Sequence, residues 1–234
     1  MKQPILKICG LMRAQDVALC IALRVDILGF VTEYPLPVPW NLTRQEAHAR
    51  MAEVHSRAKT CMVTGGQVDR VVALALELRP DYVQLHFHET LEDTRQIVKA
   101  LAPYSIGVIK TIPADSGERL AQFGDARPEQ CAVMLERAGV AAVLVDSRAP
   151  GNAGESGRPA DLELYHRVRS AVAIPVVLAG GITPENGEAL LRHTQPQWID
   201  VMTGVESSPG CKDARRLRAL VRLVRGCCLE ESEG

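Results

Sequence analysis

Two glycine-containing segments have residue types that suggest a binding function. Each segment directly follows a short apolar run. Gly180-Gly181 follows the run at 176–179, and Thr203-Gly204 follows the run at 198–202. A glycine lets backbone N–H groups come close to an anion, and the start of a short helix adds a favourable dipole. Either segment alone is also typical of an ordinary tight turn. Together they favour a site for a phosphate group.

Histidine and cysteine are the other residue types that could carry chemistry. His86 and His88 stand two residues apart, and this spacing can place two imidazoles on one face of a strand. A metal site needs further ligands, and no carboxylate cluster accompanies the pair. The seven cysteines are irregularly spaced and contain no CxxC pair. We therefore predict neither a metal centre nor a disulfide framework.

Short apolar runs rich in Val and Ile alternate with segments of helical periodicity, and this alternation predicts eight strand–helix units. The predicted strands are 5–8, 27–32, 60–64, 82–85, 105–111, 141–145, 176–179 and 198–202. The predicted helices are 13–23, 44–58, 67–78, 91–102, 128–138, 161–172, 184–193 and 213–225. Thr183 and Asp213 are expected to cap the last two helices, with Pro184 at a first helical position.

Strands that are apolar on both faces and alternate with helices indicate a parallel sheet, and eight such units can close into a barrel. The main alternative is an open doubly wound sheet, which usually has a glycine-rich turn after its first strand. Here the segment 10–13 has a single glycine. We predict an α/β protein with one (β/α)8 TIM-barrel domain over residues 1–234, the barrel at about 4–226 and a tail at 227–234. In that fold phosphate often binds after strands seven and eight, where the two glycine segments lie.

Composition excludes several classes of function. The 27 basic and 28 acidic residues are interspersed and give a net charge of −1, and aromatic residues make up only 4%. Such a chain is expected to bind neither nucleic acid nor a membrane surface. No apolar run approaches the roughly 18 residues of a membrane span, and no secretory leader is recognisable. We expect a reduced, cytoplasmic protein that is a monomer or a homodimer.

Six segments carry a family resemblance. They are KICG at 7–10, QLH at 84–86, VDS at 145–147, GESGR at 154–158, LAGGITPEN at 178–186 and DVMTGVESSPG at 200–210. In this order and spacing they resemble phosphoribosylanthranilate isomerase of tryptophan biosynthesis. The similarity extends from residue 7 to residue 213, and the last two segments are its most specific part.

The resemblance implies an Amadori rearrangement, which converts a phosphorylated aminoaldose into an aminoketose without a cofactor. An acid protonates the furanose ring oxygen, and a base removes the proton from the sugar C2. By position, the resemblance assigns the base to Cys9 and the acid to Asp146. Strands six, seven, eight and one are neighbours in a closed barrel, so these two groups are expected on either side of the phosphate site. Phosphate contacts are expected from Gly180, Gly181, Thr203 and Gly204, and other substrate contacts from Lys7, Trp40, Gln84, His86, Arg158 and Asp200.

The assigned residues suit these tasks. A free thiol titrates near about 8.5, and a nearby Lys lowers that pKa, so we expect a partial thiolate at Cys9. Lys7 stands two residues earlier and is expected on the same strand face. Asp146 needs burial to remain protonated. Without the resemblance, a cysteine at a strand end would be interpreted as a small core residue, and an aspartate there as a cap or a loop anchor. The small residues at 151–158 are expected to form a mobile cover.

The segment after strand two departs from the family pattern. That pattern is Tyr-Pro-Lys-Ser, one further residue, and an Arg that holds the anthranilate carboxylate. Here residues 29–43 read GFVTEYPLPVPWNLT, so both the Lys and the Arg are missing. Trp does not replace a bidentate Arg–carboxylate contact. The change suggests an aromatic amine without the carboxylate, stacked on Trp40.

Three interpretations therefore stay open. The first is phosphoribosylanthranilate isomerase itself. The second is a related isomerase or lyase that acts on another phosphorylated sugar conjugate. The third is a protein that binds a phosphorylated metabolite without turnover. The presence of both Cys9 and Asp146 argues against the third interpretation, because a binding protein needs neither group.

Overall fold

A computed structural model of the chain describes residues 3–146 and 161–226. Eight parallel strands form a closed barrel in the order β1 to β8, with β1 paired to β8, as the sequence predicted. The strands are β1 (Ile5–Ile8), β2 (Ile27–Val31), β3 (Lys59–Thr64), β4 (Tyr82–Leu85), β5 (Gly107–Ile112), β6 (Ala142–Asp146), β7 (Val176–Ala179), β8 (Trp198–Val201), β9 (Glu206–Ser208) and β10 (Cys211–Lys212). The helices are α1 (Ala14–Ala22), α2 (Arg44–Ala52), α3 (Val68–Leu78), α4 (Leu91–Leu101), α5 (Ser116–Phe123), α6 (Pro128–Arg137), α7 (Leu162–Ala171), α8 (Gly187–Thr194) and α9 (Ala214–Gly226).

Side-chain caps define several of the helix starts. Thr43 and Glu46 form a reciprocal capping box at the start of α2, and Thr90 and Asp93 form another at α4. Each box satisfies two backbone N–H groups that have no partner inside the helix. Asp213 caps α9, as the sequence predicted. These caps place the connecting loops, and therefore the side chains at the strand ends.

Two of the predicted helix boundaries are wrong. Helix α2 ends at Ala52 instead of continuing to residue 58, because His55 and Ser56 adopt left-handed backbone angles, with φ of 47° and 61°. Helix α8 begins at Gly187 rather than at Pro184. The residues before it form a turn in which the Asn186 side chain accepts the Thr183 N–H.

Two elements of the structure were not predicted. Helix α5 (Ser116–Phe123) lies between β5 and α6, so the fifth strand is followed by two helices. The segment is short and polar and is followed by Gly124, a composition that is typical of a loop. A short hairpin of β9 and β10 follows β8. Because this hairpin lies beside the ends of β8 and β1, it contributes residues to the barrel mouth.

The apolar core forms two layers. A large cluster fills the space between the strands and the helices, and a smaller cluster fills the barrel interior. The inner cluster includes Cys9, Cys61, Ile109, Leu144 and Trp198. Within residues 3–146 and 161–226, no helix is long and apolar enough to cross a membrane.

A buried ion pair joins the ends of β4 and β5. Lys110 Nζ lies 2.9 Å from Oε2 of Glu89, and neither side chain is exposed to solvent. Burial lowers the pKa of Lys110, although the attraction of Glu89 opposes that shift. Glu89 also accepts the N–H groups of Gly66 and Phe87, at 2.9 and 3.2 Å. The pair therefore holds the loops after β3 and β4 against the barrel.

We predict that Lys110→Met lowers the free energy of unfolding by about 3–5 kcal/mol, because it leaves the Glu89 carboxylate buried without a counter-charge. The measurement is urea denaturation followed by circular dichroism. Lys59→Met is the matched control, since it removes the lysine of an exposed pair with Asp81 and should cost less than about 1 kcal/mol. Equal losses in the two variants would contradict the special role of the buried pair.

Candidate active site

Polar residues form one row across the last strands and the first strand of the barrel. Asp146 ends β6 and is in register with Ala179 of β7. Ala179 is in register with Asp200 of β8, which is in register with Lys7 of β1. Adjacent strands lie about 4.8 Å apart, so the row covers three strand spacings of the barrel wall. The fold therefore brings residues 193 positions apart in sequence into one site.

Lys7 and Asp200 form a buried ion pair in this row. Lys7 Nζ lies 2.8 Å from Oδ2 of Asp200, and the side chains are 1% and 9% exposed. Burial disfavours the charged ammonium, but the attraction and hydrogen bond of Asp200, together with the attraction of Cys9 and Cys61, outweigh burial, and the pKa of Lys7 is raised. Lys7 therefore remains a cation inside the barrel at all physiological pH values.

Cys9 directly follows β1 and lies beside this ion pair. Its N–H donates to the Val201 carbonyl at 2.9 Å, and the residue is 4% exposed. Gly29 of β2 is adjacent, and a Cβ on Gly29 would lie 3.0 Å from Cys9 Sγ and 3.1 Å from Lys7 Nζ. The space left by the missing side chain is thus where the thiol and the ammonium meet. Lys7 and Cys9 share one strand face, as the sequence predicted.

The protonation of Cys9 differs from the expectation. Burial raises the pKa of the thiol, and the charge of Lys7 offsets that rise only in part. The expected partial thiolate near neutrality is therefore wrong, because the raised pKa favours the neutral thiol. Cys61 of β3 lies deeper, and burial raises its pKa to about 12. Cys61 is accordingly a neutral core residue.

His86 links Asp146 to the neighbouring strands. Its Nε2 lies 3.6 Å from Oδ2 of Asp146, whose side chain is 4% exposed. On the other side of the ring, Nδ1 lies 2.8 Å from Thr111 Oγ1 and 3.4 Å from Gln84 Nε2. An amide nitrogen can only donate, so Nδ1 accepts. The neutral ring then carries its proton on Nε2, directed toward Asp146.

Thr111 is a site residue that sequence reasoning missed. It lies two residues after Ile109, whose side chain belongs to the inner core cluster. Strand alternation therefore places Thr111 inside the barrel, one level nearer the mouth. That alternation was the available signal. This threonine belongs to no motif, so the sequence pattern did not mark it as a site residue.

Two buried oxygen atoms near the mouth have no hydrogen-bond partner among the described residues. They are Oε1 of Gln84 and Oδ1 of Asp200. A buried acceptor without a donor costs about 1–3 kcal/mol, so such atoms need an explanation. The hydroxyl group of a sugar is a donor that suits both. Of the predicted substrate contacts, Lys7, Gln84, His86 and Asp200 are therefore gathered at this mouth.

The glycine segments after β7 and β8 lie against each other. Gly180-Gly181 adopts left-handed angles, with φ of 94° and 60°. A Cβ on Gly204 would overlap the carbonyl oxygen of Ile182, so the two loops touch through their backbones. Asn186 Nδ2 donates to the Gly181 carbonyl at 2.7 Å and supports the first loop. A single 3-10 turn, Thr203–Val205, carries the second loop.

The β2 loop, residues 32–43, is tethered across the mouth at two points. The Tyr34 hydroxyl donates to the His86 carbonyl at 2.7 Å. Trp40 Nε1 donates to both carboxylate oxygens of Glu206, at 3.0 and 3.2 Å. Because β4 and β8 lie on opposite sides of β2 in the barrel, the loop extends over the strand ends between them.

Trp40 occupies a different position from the one expected. Its side chain is 2% exposed and packs near Met202, so the indole has no open face on which a substrate ring could stack. Instead it fastens the β2 loop to Glu206, whose charge Lys212 balances at 2.7 Å. The predicted stacking role is therefore wrong for this conformation, and a direct contact with substrate stays a prediction.

Glu33 engages the guanidinium groups next to the β2 loop. Arg44 lies 3.3 Å from one carboxylate oxygen of Glu33, and Arg70 lies 3.4 Å from the other. Arg70 also donates to the Glu33 carbonyl. Both cations are thus already paired with a carboxylate.

Two further expectations concern the cover loop and metal binding. Arg158 and the predicted cover at 151–158 lie outside the described residues. Within residues 3–146 and 161–226, no group of three or more His, Cys, Asp or Glu side chains could hold a metal ion. His88 packs instead beside the Phe87 ring, with the ring centroids 4.4 Å apart.

Comparison with known proteins identifies relatives over nearly the whole chain. The family model for N-(5'-phosphoribosyl)anthranilate (PRA) isomerase matches residues 6–223. The N-(5'-phosphoribosyl)anthranilate isomerase of Haloferax volcanii is 32% identical over 220 residues, which are 94% of this chain and 92% of the relative. The protein of the same name from Nitrobacter hamburgensis is 34% identical over 225 residues, with the same two coverages.

Solved structures agree with this result. The phosphoribosyl anthranilate isomerase of Thermus thermophilus superposes with a TM-score of 0.75 at 28% identity, covering 94% of this chain and 98% of that one. The enzyme of the same name from Thermotoga maritima gives a TM-score of 0.75 at 25% identity, covering 95% and 99%. The chain therefore belongs to the N-(5'-phosphoribosyl)anthranilate isomerase family.

Proposed function

We propose that this chain isomerises N-(5'-phosphoribosyl)anthranilate by an Amadori rearrangement, with Asp146 as the acid and Cys9 as the base. The observation that carries the proposal is the placement of these two groups. They lie at the ends of β6 and β1, and the glycine loops after β7 and β8 lie between them. A phosphate bound by Gly180, Gly181, Thr203 and Gly204 would hold the sugar between acid and base.

The reaction needs four proton transfers, and the first two use the acid and the base. Asp146 gives a proton to the furanose ring oxygen as the C1–O bond breaks, and the nitrogen lone pair forms the imine. Cys9 thiolate then removes the proton from C2, and the electron pair moves toward the iminium nitrogen to give the enolamine. Protonation at C1 by the Cys9 thiol and loss of the C2 hydroxyl proton to the Asp146 carboxylate yield the ketone and restore both groups. The substrate and product are isomers, so no oxidant or reductant is needed.

The neighbouring residues support both steps. Lys7 is a fixed cation beside the thiol and favours the thiolate form of Cys9. Asp200 neutralises Lys7 and offers its free Oδ1 to a sugar hydroxyl. The Nε2 proton of His86 faces Asp146 and can stabilise its carboxylate after proton transfer. Asp146 is buried at the end of β6, where it is shielded from bulk water.

One observation favours a second candidate, a related isomerase whose substrate lacks the anthranilate carboxylate. Arg44 and Arg70, the two cations contacting the β2 loop, are both paired with Glu33. A carboxylate would have to displace Glu33 from one of them or use another group. Under this alternative, Cys9 and Asp146 keep their roles and only the aromatic part of the substrate changes.

We expect the purified chain to convert phosphoribosylanthranilate, with loss of anthranilate fluorescence, and to prefer it over phosphoribosylaniline. A contact between a charged group and the carboxylate is worth about 1.5–3 kcal/mol, so kcat/KM should differ by about 10- to 150-fold. A preference for the aniline compound would support the second candidate. Absence of turnover with both compounds would contradict each isomerase proposal.

Cys9→Ser and Asp146→Asn should each lower kcat by about 100- to 10,000-fold, the usual contribution of a general acid or base. Cys211→Ser is the matched control, because Cys211 lies in the β9–β10 hairpin and should tolerate the change. Full activity in either active-site variant, with an unchanged melting temperature, would show that the role assignment is wrong.

Because the pKa of Cys9 is raised and the thiolate is the active form, kcat/KM should increase as pH rises above neutrality. Gly29→Ala should move this increase to higher pH and reduce kcat at pH 7 by about 10- to 100-fold, since the new methyl group separates Lys7 from the thiol. The thiolate absorbance of wild type minus Cys9→Ser reports the same pKa independently.

Gly226→Ala serves as the control for this series. A Cβ on Gly226 would meet no atom within 4 Å, so its pH profile should match that of wild type. If Gly29→Ala also retains the wild-type profile, the proposed role of the Lys7–Cys9 contact is incorrect.

A further inference from the structure

A second concave site lies at the opposite end of the barrel, beside the amino ends of β2, β3 and β4. It is a cleft of about 820 Å³ formed by the loops that precede these strands. This volume is within the range of about 300–1,000 Å³ that small-molecule sites occupy. Nothing in the proposed reaction uses this end of the barrel.

Positive charge dominates the lining of the cleft. The charged residues there are Arg24, Asp26, Arg57, Lys59, Arg79 and Asp81. The four cations exceed the two carboxylates, although the chain as a whole carries a net charge of −1. Like charges that share a cleft repel one another, and a bound anion would relieve that repulsion.

Both carboxylates of the cleft are already engaged. Asp26 Oδ2 accepts the Leu6 N–H at 2.7 Å and Arg225 at 2.8 Å. Asp81 accepts Lys59 Nζ at 2.7 Å and the Thr60 N–H at 2.8 Å. These contacts tie the loops to the strands, and among the described residues neither carboxylate forms an ion pair with Arg24, Arg57 or Arg79.

The three arginines of the cleft contact no carboxylate among the described residues. The Arg57 guanidinium donates to the carbonyls of Glu53 and Val54 at the end of α2. Arg79 lies over the ring of Tyr104, at 4.8 Å from its centroid. The side chain of Arg24 has no hydrogen-bonding partner within 3–146 and 161–226.

The backbone at the cleft is strained. Arg24, Ser56 and Arg79 adopt φ of 55°, 61° and 51°, in the left-handed region that residues with side chains disfavour. Glycine would satisfy this conformation without strain, so arginine at two of the three positions has a local energetic cost. Replacing either arginine by glycine would remove the positive charge of its side chain.

We propose that this cleft binds a compact anion bearing phosphate groups with at least two negative charges. Guanidinium groups pair well with phosphate oxygens because they donate several N–H groups in a fixed plane. Arg24 and Arg79 are the contacts, and Lys59 adds charge while held by Asp81. The site is separate from the reaction proposed for the other end of the barrel, so either proposal can fail without the other.

The test is titration of the full chain with inorganic pyrophosphate by isothermal calorimetry, together with the double variant Arg24→Gly/Arg79→Gly. Glycine relieves the left-handed strain, so this variant should fold and retain basal isomerase activity. It should bind one equivalent of pyrophosphate fewer than wild type, or bind that equivalent at least 10-fold more weakly. Counting equivalents separates the cleft from the phosphate site at the other end.

Two controls make the result specific. Gln195→Gly replaces an uncharged residue that also has a left-handed φ, 43°, away from the cleft, and should bind pyrophosphate like wild type. Arg24→Lys/Arg79→Lys keeps the charge and should retain most of the binding. The proposal is overturned if the double glycine variant binds as wild type does. It is also overturned if Gln195→Gly loses the same equivalent.

Discussion

The buried contact between Lys7 and Asp200 joins the first and last strands of the barrel at its carboxyl end. Closure of an eight-stranded sheet requires β1 and β8 to pair in one register, and Lys7 lies opposite Asp200 in that register. The buried ion pair is tolerated inside the protein only because Lys7 Nζ and Asp200 Oδ2 lie 2.8 Å apart, so that their attraction offsets the cost of removing both charges from water. A shift by one residue would turn Lys7 away from the barrel interior and leave Asp200 unpaired. The position of Cys9, the charge beside it and the buried Oδ1 of Asp200 all depend on this one arrangement.

Glycine has two distinct tasks around this contact. Gly29 leaves room for the thiol and the ammonium to approach each other, and Gly204 lets two loops touch through their backbones. In both places a methyl group would separate chemical groups that the site needs close together. The absence of a side chain at Gly29 and Gly204 therefore shapes the site together with the polar side chains.

The β2 loop shows how a changed sequence can keep the architecture of the site. Trp40 and Tyr34 bond the loop to residues that follow β8 and β4. Glu33 forms ion pairs with Arg44 and Arg70. The Trp–Glu contact is supported by Lys212, whose Nζ donates to Glu206 Oε1 at 2.7 Å. The changed segment is thus a braced loop, whereas Asp146, Cys9 and the glycine segments after β7 and β8 lie at the ends of the barrel strands.

The sequence by itself determined the closed eight-stranded barrel, because that fold depends on local periodicity, and it predicted the phosphate contacts after β7 and β8 and the pair Cys9 and Asp146 from short motifs and a family resemblance. It also predicted that Lys7 and Cys9 share a face, which follows from strand alternation alone. Only the tertiary structure decided what depends on distant neighbours. The raised pKa of Cys9 arises from burial by other strands, the role of Trp40 from Glu206 in a hairpin 166 residues away, and the role of Thr111 from His86 on the adjacent strand. Burial and long-range pairing are properties of the folded chain. Strand alternation alone indicates that Thr111 faces the barrel interior, but only the fold shows its contact with His86.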